Sequence, residues 1–316
     1  MVGREHGGGG ADRIRPDRMR TAEKTETPLA RRWLVPAALG AVYVIWGSTY
    51  LALRYLVEEF PPLIGNAIRF LSAGAILYVW SQRRGSTGPT AIEWRGAAQV
   101  GVLLLVGGVG LVATAEQIGV GSALAATAIA VMPVWTALWS GLFGRWPTRL
   151  EWAGLVVGLG GVLVLSGEGD FAGNPAGMAL IVTAPILWSF GSVWSGRVAM
   201  PKGMMSSAAQ MLAASPVLFG LGVVRGERFD HAPALSGWLA LAYLTLLGSV
   251  IAYTAYVYLL QTVRPALATS YAYVNPLVAV VLGVTIGGEA LSGEAYVALP
   301  LILGGVGLVA VGRQRS

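Results

Sequence analysis

The sequence has no cysteine, only two histidines and little charge. Without cysteine there can be no disulfide, no thiolate metal ligand and no thiol nucleophile. His6 lies in a glycine-rich stretch and His231 between apolar runs, which excludes a histidine metal site or general base within an apolar run. Charged residues make up 12% of the 316, against about 25% in soluble globular chains. Too few polar side chains remain to cover a folded surface in water, so the implied solvent is lipid. No Gly-x4-Gly-Lys-Ser/Thr loop is present, which removes nucleotide hydrolysis as an energy source. Carboxylates do not cluster within the apolar runs either, which disfavours a lipid-active membrane enzyme. The chain reads as a non-enzyme that needs no cofactor and no metal.

What is abundant fits that reading. Hydrophobic residues make up 55% of the chain, glycine occurs 44 times, and the mean hydropathy is +0.63. Apolar runs long enough to cross about 30 Å of hydrocarbon fall near 33–55, 61–80, 96–115, 120–143, 149–166, 176–198, 204–224, 237–260, 266–286 and 295–312. The expected fold is therefore an all-α integral membrane protein of ten transmembrane helices. Connections such as Glu58-Glu59-Phe60-Pro61-Pro62 and Gly167-Glu168-Gly169-Asp170 are short, leaving no gap for a soluble domain. Residues 1–32 read as a disordered cytoplasmic tail, and Met19 is an alternative start.

The net charge of +6 and pI of 9.8 would suit nucleic acid, but the distribution follows membrane topology instead. With the N-terminus inside, only Arg54, Arg225 and Arg228 fall outside, and Arg69 lies within a span; the rest of the 22 Lys and Arg are inside. By the positive-inside rule both termini are cytoplasmic. The expected partners are a lipid bilayer and a small-molecule substrate, not nucleic acid.

The two halves repeat. Ala123-Leu124-Ala125 and Pro133 recur as Ala266-Leu267-Ala268 and Pro276, and Glu151 recurs as Glu294, all 143 residues on. Gly160-Gly161-Val162 recurs as Gly304-Gly305-Val306, and Trp46-Gly47-Ser48 resembles Trp188-Ser189-Phe190-Gly191-Ser192. Five spans per half is an odd number, so residues 33–167 and 173–313 would enter the membrane from opposite sides. Inverted repeats of this kind build two related gates around a central site in many secondary transporters. Duplication that merely makes a stable bundle, a gated pore or a membrane-embedded sensor are the alternatives.

Few polar groups within the spans could bind a substrate. Arg69 lies about 12 Å into the second span, where it would hold an anionic group or a carboxylate, or else snorkel to the interface. Glu116, at the outer end of the third span, could pair with it, bind a proton or simply be exposed. Trp46, Ser48 and Tyr50 in the first span and Trp188 and Ser192 in the sixth lie too deep to be interfacial anchors, so they pack between helices or line a cavity. The ninth span carries Tyr271, Tyr273 and Asn275 just before Pro276, a proline expected to kink the helix and free the carbonyl of Ala272. Freed backbone at that depth must face protein or a watery cavity. Pro133 repeats the kink, with Met132 in place of the asparagine. Glycines near 154–161 and 304–307 permit close helix approach and leave a homodimer face open.

Together these features resemble the EamA-type proteins of the drug/metabolite transporter superfamily. The resemblance rests on Trp46-Gly47-Ser48-Thr49-Tyr50, Pro61-Pro62 with Arg69-Phe70, Thr114-Ala115-Glu116, Leu150-Glu151-Trp152, Trp188 to Val193, and Pro265 to Pro276. It runs from about residue 33 to the C-terminus. It implies two inverted five-helix halves, a central cavity, and export of small metabolites, amino acids or drugs across a bacterial inner membrane. Trp146 departs from the family's Gly-Glu pair, which is kept as Gly288-Glu289.

Overall fold

The structure is a computed structural model that describes residues 28–120, 125, 128–165, 174–285 and 293–312. The tail before residue 28, Ala123-Leu124, the 167–170 connection and Gly288-Glu289 lie outside the described residues. Among the described residues there is helix and no strand. The helices are α1 (Pro28–Glu59), α2 (Pro62–Arg83), α3 (Ala91–Gln117), α4 (Met132–Leu142), α5 (Arg149–Leu165), α6 (Pro175–Trp194), α7 (Met204–Val224), α8 (Leu235–Thr262), α9 (Pro265–Ala268), α10 (Tyr271–Thr285) and α11 (Gly293–Gly312). Six of them, α1, α2, α3, α6, α7 and α8, are long and apolar enough to cross a bilayer.

Local sequence explains several boundaries. Thr90 and Glu93 form a capping box at the start of α3, and Thr148 and Glu151 make the same reciprocal bonds at the start of α5. The Asn174 side chain caps α6 by accepting from the Gly177 amide at 2.9 Å, while its amide donates to the Ile118 carbonyl at 2.6 Å. Pro133 lies in the first turn of α4, after a turn at Ala130-Val131, so it opens a helix instead of kinking one. Pro276 is carried inside α10, and the break in that span comes nearly two turns earlier, at Thr269-Ser270. There the Thr269 hydroxyl donates to the Pro265 carbonyl at 2.9 Å and Ser270 to Leu267 at 2.7 Å. Hydroxyls that bond their own backbone compete with the helix ladder.

The packing comes in related pairs. As α1 lies on α10, so α6 lies on α4; as α3 contacts α6 and α7, so α8 contacts α1 and α2. The α2–α7 and α5–α11 pairs close the set. In α5 and α11 the repeated glycines meet one another: a Cβ on Gly154 would lie 2.6 Å from the Gly305 carbonyl, and one on Gly305 would lie 2.5 Å from the Gly158 amide nitrogen. Gly160, Gly304 and Gly307 face open space. Part of the glycine pattern is thus spent on packing within the chain.

Two stretches depart from α-helical winding, Val102–Gly110 in α3 and Leu244–Tyr253 in α8, both π-helical. They are about one repeat apart. A π segment widens the turn and rotates the residues after it, and such segments recur at functional sites.

The connections gather at two ends. At one, the Glu227 carboxylate accepts from the Leu63 and Ile64 amides, Glu59 accepts from the Ala234 amide at 2.8 Å, and Asn174 reaches Ile118. At the other, Arg197 donates to the Phe143 carbonyl at 3.1 Å, Arg264 pairs with Glu151 at 3.1 Å, and Gly312 packs on Glu151.

Candidate functional site

Between these ends lies a cavity of about 90 Å³ whose walls come from α1, α2, α3, α6, α8 and α10, with Ile129 and Met132 from before and at the start of α4. By volume it holds roughly half a dozen waters or one compact organic molecule. Both π segments line it, through Leu105, Gly108 and Val109 on one side and Leu244, Gly248 and Tyr253 on the other.

Aromatic rings make much of the wall. Trp46 and Trp188, at equivalent positions of the two halves, meet edge to face at 5.5 Å. Tyr271 packs edge-on against Trp46 at 4.6 Å, and Tyr256 lies 5.1 Å from it. Trp46 Nε1 donates to the Gly248 carbonyl at 3.0 Å, and Trp188 Nε1 to the Tyr256 hydroxyl at 3.0 Å. Each indole is thereby held by a bond into α8, one of them within its π segment.

Arg69 is buried in this wall. Its Nε donates to Ser249 Oγ at 2.8 Å and its Nη1 to Asn66 Oδ1 at 3.3 Å, while the guanidinium lies 4.8 Å over the Phe70 ring. Asn66 is oriented by its own amide, which donates to the Pro62 carbonyl at 2.9 Å. Among the described residues no carboxylate pairs with Arg69, and none lines the cavity. Snorkelling does not describe this arginine: its residue is 6% exposed and its head points inward. Asn275, 1% exposed, also lines the cavity, and neither of its carboxamide atoms has a hydrogen bond of ordinary geometry, with the Tyr50 hydroxyl close by.

Of the residues singled out from sequence, the structure brings together Trp46, Tyr50, Arg69, Trp188, Tyr271 and Asn275. Ser48 instead bonds Tyr243 at 2.6 Å and the Ile45 carbonyl. Ser192 bonds Tyr256 at 2.6 Å and lines a separate vestibule of about 880 Å³, open at the end that holds Glu151 and Arg264. Tyr273 turns away to donate to the Leu155 carbonyl at 3.0 Å, packed on Gly158. Glu116 lines a third pocket, at the opposite end, with Arg54 and Glu58. Sequence reasoning passed over Thr49, Gly108, Gly248, Ser249, Tyr253 and Tyr256. The tyrosines at three-residue spacing in Tyr253-Thr254-Ala255-Tyr256 were a usable signal; the π segments left none.

A bundle of helices apolar enough to cross a bilayer, enclosing a small polar-and-aromatic cavity, is an architecture that membrane transporters share. Two stretches, 33–167 and 175–311, match the EamA-like transporter family, and the chain belongs to that family. It is 46% identical over 284 residues, 89% of this chain and 93% of the other, to the "Uncharacterized inner membrane transporter YedA" of Escherichia coli K12. It is 23% identical to the "Probable amino-acid metabolite efflux pump" of Salmonella typhimurium, covering 84% of this chain and 91% of that one. A protein of known crystal structure, 23% identical, shares the fold with a TM-score of 0.73 over 89% of this chain and 98% of its own. The chain is a multi-pass inner-membrane protein and a membrane transporter.

Proposed function

We propose that the chain is a secondary or facilitative carrier that exports small metabolites, amino acids or drugs, working by alternating access to the cavity between α1, α2, α3, α6, α8 and α10. Ten spans in two inverted five-helix halves, 33–167 and 173–313, would supply the two gates, with both termini cytoplasmic. The observation that carries this reading is the paired packing. The connection after α1 joins the Glu227–Ala234 end, whereas its repeat equivalent, the connection after α6, joins the Phe143–Glu151 end. Equivalent connections at opposite ends are what an inverted repeat requires. The cavity lies between a vestibule of about 880 Å³ at one end and a pocket of about 370 Å³ at the other, which suits a carrier whose site is reached from each side in turn.

Trp46, Tyr50, Arg69, Trp188, Tyr271 and Asn275 would contact substrate. Ser192 would hold Tyr256, which backs Trp46 and Trp188, Ser48 would tie α1 to α8 through Tyr243, and Tyr273 would fix α10 on α5. Glu116 would act at the outer mouth. The outward-facing Gly160, Gly304 and Gly307 would be available to a homodimer.

Flux into proteoliposomes, assayed over amino acids, organic acids and amphipathic amines, tests the carrier reading. Saturable flux of at least one class is expected, without unitary conductance in single-channel recording. Unitary currents would favour a pore, and absence of saturable flux across the panel would count against transport by this cavity.

A further inference from the structure

We propose that the cavity takes its substrate as an organic anion, a compact carboxylate on an apolar ring or chain, and rejects amines of the same size. The inference rests on the cavity being the transport site and names the chemical class that site accepts.

Three observations carry it. The first is the charge of the cavity. Arg69 is buried with two neutral partners, Ser249 and Asn66, and no carboxylate is among the described residues lining the space. A guanidinium has five N–H donors, and these two bonds leave donors on Nη1 and Nη2 for a bidentate oxyanion. A Cβ on Gly248 would come within 3.1 Å of Nη2, so the head of Arg69 is seated closely over this glycine. A cation removed from water without a counter-ion is costly, and a substrate carboxylate would offset that cost each time it binds.

The second is Asn275. Its amide and carbonyl are buried, line the same cavity and lack a hydrogen bond of ordinary geometry. With the Tyr50 hydroxyl beside it, the carboxamide still has donor capacity to spare, since its NH2 carries two protons, and that gives a carboxylate a further donor. The third is the remaining wall: Trp46, Phe70, Leu105, Met132, Trp188 and Tyr271 present ring faces and alkyl surface suited to an apolar body.

Aromatic walls also attract cations, so the two preferences compete. A charge–charge repulsion acts over several ångströms in a low-dielectric site, and it outweighs the shorter-range attraction of an ammonium to a ring. The entrance agrees with the cavity. Among the described residues the vestibule is lined by Arg145, Arg197 and Arg264 with Glu151 as the carboxylate, and Glu151 is already engaged by Arg264 at 3.1 Å. The arginines that membrane topology places at this end would also concentrate anions at the mouth.

Benzoate, benzamide and benzylamine share a ring and differ in charge, so they separate the terms. Their binding to the full chain in lipid nanodiscs at neutral pH can be read by titration calorimetry against protein-free discs. Benzoate is expected to bind about ten-fold or more tighter than benzamide, and benzylamine more weakly than either. Arg69→Gln should erase the advantage of benzoate over benzamide, and Arg69→Lys should keep part of it. If Arg69→Gln does not fold, the wild-type ranking and Arg69→Lys decide. Benzylamine binding as tightly as benzoate, an undiminished benzoate preference in Arg69→Gln, or no binding by any of the three overturns the inference. Binding and flux fail separately. The benzoate ranking without any saturable flux would sink the carrier reading alone, whereas amine flux that ignores Arg69 would sink the anion inference alone.

Discussion

Replacing Gly108 by alanine puts one methyl group against the wall of the cavity. A Cβ there would lie 2.3 Å from Trp188 Cε3 and 3.2 Å from Cζ3. Carbon atoms rest about 3.5–4.0 Å apart, so the indole must move by about 1.2–1.7 Å. It cannot do so freely. Its N–H is bonded to the Tyr256 hydroxyl at 3.0 Å, and its ring meets Trp46 at 5.5 Å. The space open to it is the cavity, which is only about 90 Å³. Overpacking of this kind costs about 1–3 kcal/mol, while exchanging a mid-helix glycine for alanine returns about 0.5–1 kcal/mol. The variant should therefore fold, melt somewhat below the wild type, and show a changed near-ultraviolet dichroism from the displaced indole. Benzoate binding should weaken about ten-fold as the ring enters the space the ligand needs. Gly160→Ala is the control, since a Cβ there meets nothing within 4 Å. A Gly108→Ala protein with wild-type dichroism, melting and binding would refute the claim that Trp188 is pinned against α3.

Other perturbations address the rest of the architecture. Gly305→Ala sets a methyl against backbone atoms of Gly158 and Gly154, so α5 and α11 must part at a cost of about 2 kcal/mol or more, read as loss of the monodisperse peak in size-exclusion chromatography. Gly220→Ala, where a Cβ meets nothing within 4 Å, should leave that peak intact. Trp46→Phe removes the donor to the Gly248 carbonyl and should lower stability by about 1 kcal/mol, measured by thermal melting; an unchanged melt would mean that the bond contributes nothing to holding the π segment. Glu151→Gln removes the charge that pairs with Arg264, a residue 41% exposed at its side chain. The partly solvated pair is worth about 0.5–1 kcal/mol, so a cysteine placed at Ala266 in the vestibule should react about two- to five-fold faster with a thiol reagent. An unaltered rate would show that the pair does not restrain that mouth.

Membrane character, the helical fold and the family were all legible in the sequence, because each rests on many residues at once. Long apolar runs, sparse charge and the Trp-Gly-Ser stretches do not depend on which way any one side chain points. The site was legible only in part, and the division is physical. Arg69 and Asn275 were conspicuous because a polar group in an apolar run needs a reason. Trp46 and Trp188 stood out by recurring at equivalent positions. Ser48, Ser192 and Tyr273 have the same residue chemistry but rotate toward Tyr243, Tyr256 and the Leu155 carbonyl. For Tyr273 the helix period fails because the break at Thr269-Ser270 intervenes, whereas Ser48 and Ser192 lie on unbroken helices and their partners depend on which face α8 covers. Both prolines were expected to kink their spans, yet Pro133 opens α4 and the break before Pro276 belongs to Thr269 and Ser270. Each π segment carries a glycine beneath a close neighbour, Gly108 beneath Trp188 and Gly248 beneath Arg69, and no local propensity announces the π winding.

The absence of cysteine makes the most direct test simple, since any single cysteine introduced is the only thiol in the chain. Arg145→Cys, Lys202→Cys, Glu58→Cys and Arg228→Cys place exposed thiols at the two ends of the bundle. A membrane-impermeant reagent applied to intact cells should modify the cysteines at 58 and 228 and spare those at 145 and 202 until the membrane is opened. Finding 58 and 202, the repeat-equivalent connections, on one face of the membrane would contradict two halves that cross it in opposite senses, and with them the carrier built around Arg69 and Asn275.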